Sequence, residues 1–449
     1  MFQDRLSDRR DRQGSAGTTL DGAVAVEAIR VLAGWSAAAR TPTVVVVLKM
    51  FGAAAPILVV AAFVTTACQP DRPATVAPSA TTTSATAADK TALQRDADAI
   101  RDIGITGVQA RLVAADGNST VATSGVADTA SRTPVSGEGY FRTASATKTF
   151  TATVLLQLVG EGKLSLDDTV EKWLPGVVRG NGNDGTKITV RHLLNHTSGL
   201  KYPNPYELAS PEDFHHYALN VPPPPEQVVA TAVQSPPNFV PGTGWSYSNT
   251  GYLVAGMIID KVTGTSWYEE VDRRIINPLG LAHTSYPGSA ITVPAPHATG
   301  YTQWPTGGLV DTTDNRIGVF AAAAGALITT TADLNTFFRA LLGGRLLRPE
   351  QLAEMKTTVD TDPEVKSVFR GARYGLGLFS IELSCGGRYW MHGGDIPGYK
   401  TRDGVTEDGT RSVVVSMSTL LQDSDDHQFA QENTAMALVD HALCSTGNR

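Results

Sequence analysis

Cysteine is scarce in this chain: three are present among 449 residues, so at most one disulfide can form within it. Basic side chains are outnumbered, 37 Lys and Arg against 44 Asp and Glu, for a formal net charge of −7. With no polybasic footprint, nucleic acid is excluded as a partner. No internal repeat is visible. The glycine-rich stretch Gly180 to Gly185 lacks the Lys-Ser/Thr of a phosphate-binding loop and reads as a turn. His192 and His196 stand four apart without a nearby acidic third ligand, so they read as structural rather than as a metal site. His215 and His216 are expected in a polar loop and read as solvated. Nothing calls for a metal or an organic cofactor. What is there is 42% hydrophobic and 18% charged residue content, the balance of a globular protein with a sizeable core.

The apolar run from Phe51 to Ala67 falls short of the ~20 residues of a membrane-spanning helix, and Pro56 interrupts it. Preceded by Lys49 and ending in small residues, it reads as a secretory signal peptide rather than a permanent anchor. Its end, Val64-Thr65-Thr66-Ala67-Cys68, resembles a bacterial lipoprotein signal whose cysteine becomes lipidated. Thr65 stands where Leu or Val is usual, and ordinary cleavage nearby is the alternative. A lipidated Cys68 would hold the exported protein on the extracytoplasmic face of the cell membrane. Residues 1–50 form an atypical extension, and the translation start is expected between Val44 and Met50, which N-terminal sequencing of the precursor checks. Residues 51–68 are then the signal, and 69–90, rich in Pro, Ala, Thr and Ser, a tether unable to bury enough surface to fold. The folded domain is expected over 91–446. With Cys68 set aside, Cys385 and Cys444 remain as an even pair in a disulfide-permissive protein, two buried free thiols being the alternative.

Within that domain the spacing of Leu93, Ala97 and Ile100 predicts a helix over 91–103. Val108–Ala114 and Ser119–Val126 read as strands joined by a turn at Asp116-Gly117-Asn118. A long apolar helix is expected from Ser145 to Val159, closed by Gly160 and Gly162. The middle, from Leu164 to Phe338, reads as short helices and Pro/Gly loops. Strands return at Tyr374–Leu383, Arg388–His392 and Ser412–Ser418, before a closing helix over Phe429–Leu443. The fold class is therefore α/β (α+β): a sheet flanked by helices from the two chain ends, with a mostly helical inserted lobe. Substrate commonly sits between two such lobes.

Chemistry concentrates at Phe141-Arg142-Thr143-Ala144-Ser145-Ala146-Thr147-Lys148. At a helix start, Ser145 and Lys148 share one face. A serine hydroxyl needs a nearby base before it attacks, and the helix N-terminus offers N–H groups for a developing oxyanion. Ser-x-x-Lys by itself is a weak pattern. Tyr247-Ser248-Asn249 and Trp390-Met391-His392-Gly393-Gly394 strengthen it. Tyr247 suits a general base, Asn249 a substrate-positioning amide, and His392 a proton donor or polar contact opposite Ser145. Gly393 and Gly394 let backbone approach substrate closely. Trp245 and Trp390, beside motif residues, are candidates to wall the cleft.

With these three elements in order the chain resembles the serine β-lactamase and DD-peptidase superfamily, most closely class C β-lactamases and secreted D-alanyl-D-alanine carboxypeptidases. Further segments carry the likeness: Gly160 to Leu164, Ile188 to Leu200, Asn277 to Leu281, Ala324 to Leu327 and Tyr374 to Leu378. The resemblance implies a β-lactamase/transpeptidase-like fold with an antiparallel sheet. It also implies an acyl-enzyme on Ser145, with Lys148 and Tyr247 exchanging its proton, and an oxyanion hole from the backbone N–H groups of Ser145 and Asp395. It adds support for a Cys385–Cys444 bridge. Two departures stand out: Gly393 replaces the hydroxyl residue of the third motif, and the strand Gly377–Leu383 lacks arginine. Asp395 adds a negative charge where a substrate carboxylate would lie, at an expected cost on the order of 4 kcal/mol for a contact near ~4 Å. Lys400, Arg402 and Arg370 are the candidates to supply carboxylate recognition instead. The resemblance points first to D-alanyl-D-alanine carboxypeptidase-like action on cell-wall peptides. The departures weaken the case for peptides or β-lactams with a free terminal carboxylate and fit a neutral ester or amide, or an amine-bearing substrate. The alternatives are therefore esterase or β-lactamase-like action and D-amino-acid amidase or aminopeptidase action, and a penicillin-binding lipoprotein without turnover is the non-enzymatic one. Substrate would be a small peptide, ester or β-lactam, with peptidoglycan and the membrane as larger partners.

Overall fold

The protein is described here as a computed structural model covering residues 87–203, 208–220 and 222–445. The expected signal, Cys68 and most of the tether lie outside the described residues. The chain enters the domain on α1 (Ala87–Asp102), which carries Leu93, Ala97 and Ile100 on its buried face. A hairpin follows, β1 (Gly107–Val113) and β2 (Ser119–Gly125). Its turn forms as the residue types dictate: Gly117 takes a positive φ of 86°, and the Asn118 N–H donates to Asp116 Oδ1 at 2.9 Å.

Seven more strands complete the main sheet near the other end of the chain. They are β3 (Val359–Asp360), β4 (Arg373–Tyr374), β5 (Phe379–Glu382), β6 (Arg388–Met391), β7 (Gly394–Ile396), β8 (Tyr399–Thr406) and β9 (Ser412–Met417). The order is β2-β1-β9-β8-β6-β5-β4-β3, with β7 also paired to β8, and every pairing is antiparallel. The N-terminal hairpin is thus joined to the C-terminal strands through β1 and β9, as expected of a sheet built from both ends.

The expected single strand over Tyr374–Leu383 is instead two, β4 and β5, folded back on each other. Gly377 at φ 82° turns the chain, and the Gly375 N–H closes the turn on the Leu378 carbonyl at 2.8 Å. β8 had no sequence signal, because Tyr399-Lys400-Thr401-Arg402-Asp403-Gly404 lacks the apolar alternation of a strand; it is nonetheless buried along nearly its whole length.

Both faces of the sheet are covered. On one, Val108, Ala110, Val413 and Val415 pack with α1 and the closing helix α6 (Asp425–Cys444), through Leu438 and Val439. On the other, Val405 and Val414 join a larger core with Phe337 and Leu341 of α5 (Thr331–Leu342). That core continues into the inserted helices α2 (Thr147–Gly160), α3 (Asn249–Thr263) and α4 (Ile317–Gly325). A disulfide joins Cys385, in the turn between β5 and β6, to Cys444 at the end of α6.

α2 is buried on every side up to Leu156, so it presents no solvent face until its last turn. It also carries four threonines, poor helix formers whose hydroxyls need partners when buried. They find them: Thr149 donates to the Gly377 carbonyl and Thr151 to the Ala323 carbonyl, both at 2.7 Å. Those two bonds seat α2 between the third-motif side and α4. Among the described residues, no helix is long and apolar enough to cross a membrane.

Candidate active site

Ser145 lies in a single 3-10 turn, Ala144–Ala146, that leads into α2 rather than on the α-helix itself. The preceding Ala144 has φ 48°, a left-handed conformation that a non-glycine residue adopts at a cost of order 1–3 kcal/mol. The turn is held from behind: the Thr143 N–H donates to the Leu327 carbonyl at 2.9 Å, and the Leu327 N–H donates to Thr147 Oγ1 at 3.1 Å.

Lys148, in the first turn of α2, is fully buried. Its Nζ donates to Ser145 Oγ at 3.1 Å, Asn249 Oδ1 at 2.6 Å and the Ala324 carbonyl at 2.7 Å. The same nitrogen lies 4.8 Å from the centre of the Tyr247 ring, over its face. Ser145, Lys148, Tyr247 and Asn249, predicted from segments a hundred residues apart, therefore converge on one ammonium.

The second motif is placed by helix capping. Ser248 caps α3 in an extended conformation, its Oγ accepting from the Gly251 N–H at 3.3 Å, so that Asn249 becomes the first helical residue and Tyr247 stands just before the cap. His196 secures this from below. Its Nδ1 accepts the Ser248 N–H at 3.2 Å, and its ring lies 4.3 Å from that of Tyr247. Burial, followed by the Lys148 charge, pushes the His196 pKa well below the ordinary histidine range, so the ring is neutral and stays an acceptor. This support for Tyr247 is not visible in the sequence; only the proximity of His196 in the fold reveals it. His192 belongs instead to a capping box with Thr189. Among the described residues no cluster of three or more metal-ligating side chains occurs. His215 and His216 are exposed, in a helical segment over Phe214–Asn220 rather than a loop.

The third motif differs from expectation in two ways. His392 is fully buried, with Nε2 2.9 Å from the Tyr374 hydroxyl and Nδ1 2.9 Å from the Gly393 carbonyl oxygen. Burial, aided by the Lys148 charge, lowers its pKa to about 3. The structure brings it near Tyr247, 6.3 Å between ring centres, but does not hydrogen-bond it to Ser145. Gly393 and Gly394 serve the protein's own packing. A Cβ on Gly393 would lie 2.6 Å from the Thr401 carbonyl oxygen. One on Gly394 would lie 2.2 Å from the Thr143 carbonyl oxygen and 2.6 Å from the Ser145 nitrogen. Gly394 lets β7 lie directly against the Ser145 turn, and Gly393 lets the chain pass close to Thr401 and Arg402 of β8.

Asp395 is not the free negative charge its position suggests. Arg402 Nη1 and Nη2 donate to its two oxygens at 2.7 and 3.2 Å, and Lys400 Nζ lies 3.4 Å away. Burial opposes its ionised form, but Arg402 and Lys400 outweigh it and hold the carboxyl well below its ordinary range. The expected repulsion of a substrate carboxylate is therefore largely cancelled. The cations are consumed in turn, because Lys400 and Arg402 both also pair with Glu432 of α6. Arg370 lies on the outer surface, 3.6 Å from Asp440.

A cleft of about 540 Å³, including its open mouth, is lined by Ser145, Asn249 and Asp395. Its walls are Tyr202, Leu208, Ile317, Phe320 and Ile396. The tryptophans beside the motifs do not wall it: Trp245 packs on His196 and Tyr374, and the Trp390 indole donates to Glu407.

A sequence profile of the family described as Beta-lactamase matches residues 93–438. The chain belongs to the β-lactamase family. Among solved structures it is similar to a D-stereospecific amidohydrolase from Streptomyces sp., with 39% identity, a TM-score of 0.69, and 80% of this chain and 99% of that one covered. It is also similar to the D-amino acid amidase of Ochrobactrum anthropi SV3, at 28% identity, a TM-score of 0.68, and 79% and 98% coverage. Penicillin-binding protein 4* of Bacillus subtilis (strain 168) is 34% identical over 36% of this chain, a match that spans 33% of that protein's length. The β-lactamase-family fold and serine-hydrolase chemistry expected from the three motifs are thus those of its relatives.

Proposed function

We propose that the protein is an exported hydrolase that forms an acyl-enzyme on Ser145 and cleaves amides or esters of D-amino acids carrying an apolar side chain. The observation that carries this reading is the lining of the cleft: apolar walls, and no Lys or Arg among the described residues that line it. A peptide ending in a free carboxylate is favoured by a cation or a hydroxyl beside the scissile bond; the two cations on β8 are taken up by Asp395 and Glu432, and Gly393 supplies no hydroxyl. Similarity to D-amino-acid-directed amidohydrolases supports the same substrate class. Export is supported by the Phe51–Ala67 run and by a disulfide that suits an oxidising compartment.

In this reading Lys148 reacts as the neutral amine, having given up one proton: two N–H groups keep the shorter hydrogen bonds, to Asn249 Oδ1 and the Ala324 carbonyl, and the lone pair faces Ser145 Oγ. The amine takes the serine proton as Oγ attacks the carbonyl carbon, then returns a proton through the Tyr247 hydroxyl to the leaving amine or alcohol as the bond from the carbonyl carbon to that nitrogen or oxygen breaks. The backbone N–H groups of Ser145 and Asp395 receive the tetrahedral oxyanion, a contribution of about 10²–10³ per donor. Water, activated by the same pair, then releases the acid.

The test is a comparison of kcat/KM for D-phenylalanine amide, D-alanine amide and a D-Ala-D-Ala peptide. Burying a phenyl group is worth about 1.5–3 kcal/mol, so the phenylalanine amide should exceed the alanine amide by roughly tenfold to a hundredfold. A D-Ala-D-Ala peptide cleaved faster than both amides would replace this reading with carboxypeptidase action.

A further inference from the structure

Behind β7 lie four buried charged side chains drawn from three elements: Asp395 on β7, Lys400 and Arg402 on β8, and Glu432 on α6. Their formal charges cancel. Arg402 sits at the centre, giving its two terminal nitrogens to the Asp395 oxygens and its Nε to Glu432 Oε1 at 2.6 Å. Lys400 spans the same two carboxylates, 2.8 Å from Glu432 and 3.4 Å from Asp395.

Burying four charges is a poor route to stability, since a well-packed apolar group of the same volume commonly does as well or better. What a planar guanidinium held on two sides does provide is direction. The element it directs is the one that needs it. β7 is three residues long, its strand partner is β8, and its Gly394 lies against the Ser145 turn. A small rotation of β7 would carry the Asp395 N–H away from the oxyanion.

We propose that Glu432, on the closing helix and outside the cleft, is a positioning residue for the oxyanion site: it fixes Arg402, which fixes Asp395 and so aligns the β7 backbone with Ser145. The assignment rests on the acyl-enzyme reading above. It makes the C-terminal helix part of the catalytic apparatus rather than only a cover for the sheet.

The experiment compares wild type, Glu432→Gln and Arg402→Lys by steady-state kinetics on a p-nitrophenyl ester, by inhibition with phenylboronic acid, and by thermal melting. Phenylboronic acid captures a nucleophilic serine as a tetrahedral adduct that resembles the transition state. The expected result is a fall in kcat of about 10²-fold with KM little changed, and a rise in the boronate inhibition constant by the same factor as the loss in kcat/KM. Arg402→Lys keeps the charge but loses the fork, and it carries the same expectation should Glu432→Gln fail to fold. Folded variants whose kcat and boronate affinity stay within about twofold of wild type, whatever their melting temperature, overturn the assignment while leaving the hydrolase reading intact. A wild-type protein that neither hydrolyses the ester nor binds the boronate removes the hydrolase reading, and this inference with it.

Discussion

Gly394 and Ser145, separated by 249 residues in sequence, are so close that a Cβ on Gly394 would stand 2.6 Å from the Ser145 backbone nitrogen. The obstructing atoms are two backbone atoms and the Ala144 Cβ, none of which moves with a rotamer, so a side chain cannot be accommodated by a rotamer change. Gly394→Ala should therefore push β7 off the nucleophile turn. Displacement by ~1 Å at a reacting centre costs about 10²-fold, and kcat/KM for an ester should fall by at least that much, with a lowered melting temperature. Activity within threefold of wild type would show that the two segments do not meet this closely.

Lys148 and Asn249 make a second test. Removing the amine in Lys148→Ala takes away the only side-chain nitrogen bonded to Ser145 Oγ among the described residues, and strips Asn249 Oδ1 and the Ala324 carbonyl of a donor. General-base catalysis contributes about 10²–10⁴-fold, and a loss at the upper end is expected in kcat/KM. Asn249→Ala leaves the base in place and should cost less, about 10–10²-fold. The order of the two losses, measured on folded variants, is the discriminating result.

Much of this was legible before the structure. α1, the first hairpin, α2 and α6 follow from periodicity and turn residues, and the first two motifs named the residues that gather at Lys148, whereas His392 of the third bonds Tyr374 and Gly393 instead. β8 was not legible, because its charges are buried only by virtue of partners on β7, across a two-residue turn, and on α6, some thirty residues away, whose pairing no apolar pattern announces. For the same reason Asp395 read as an open charge. The role of His196 was hidden too: a histidine that accepts from the Ser248 N–H is indistinguishable in sequence from one that packs in a core.

Acid–base behaviour offers a third check. Burial raises the Asp403 carboxyl to about 7, with the His392 N–H and Arg402 opposing. Because its folded value lies above the ~3.9 of an unfolded aspartate, its contribution to stability is complete below that pH and is lost as pH rises through 7. Asp403→Asn removes this dependence. Its stability relative to wild type, from urea titrations, should improve by a few kcal/mol between pH 4 and pH 8. His392 runs the other way. Its folded value of about 3 lies below the ~6.5 of an unfolded histidine, so its contribution is present above pH ~6.5 and is lost as pH falls toward 3. An unchanged stability difference across that pH range would place the Asp403 carboxyl in a solvated setting.

The Cys385–Cys444 bridge closes a loop with a sequence separation of 59 and pins the end of α6 to the β5–β6 turn. Replacing both cysteines by serine should lower unfolding free energy by about 2–4 kcal/mol, while kcat/KM measured well below the melting point changes little, since neither cysteine lines the cleft. A large loss of activity in a fully folded double variant would mean that the bridge shapes the site.

The most direct test of the account is the intact mass of the protein after brief exposure to a p-nitrophenyl ester, quenched in acid and followed by peptide mapping. The account predicts a single added acyl group, located on Ser145, that decays as product forms and is absent from Ser145→Ala. An adduct that persists in Ser145→Ala, or turnover of the ester by that variant at the wild-type rate, would contradict it.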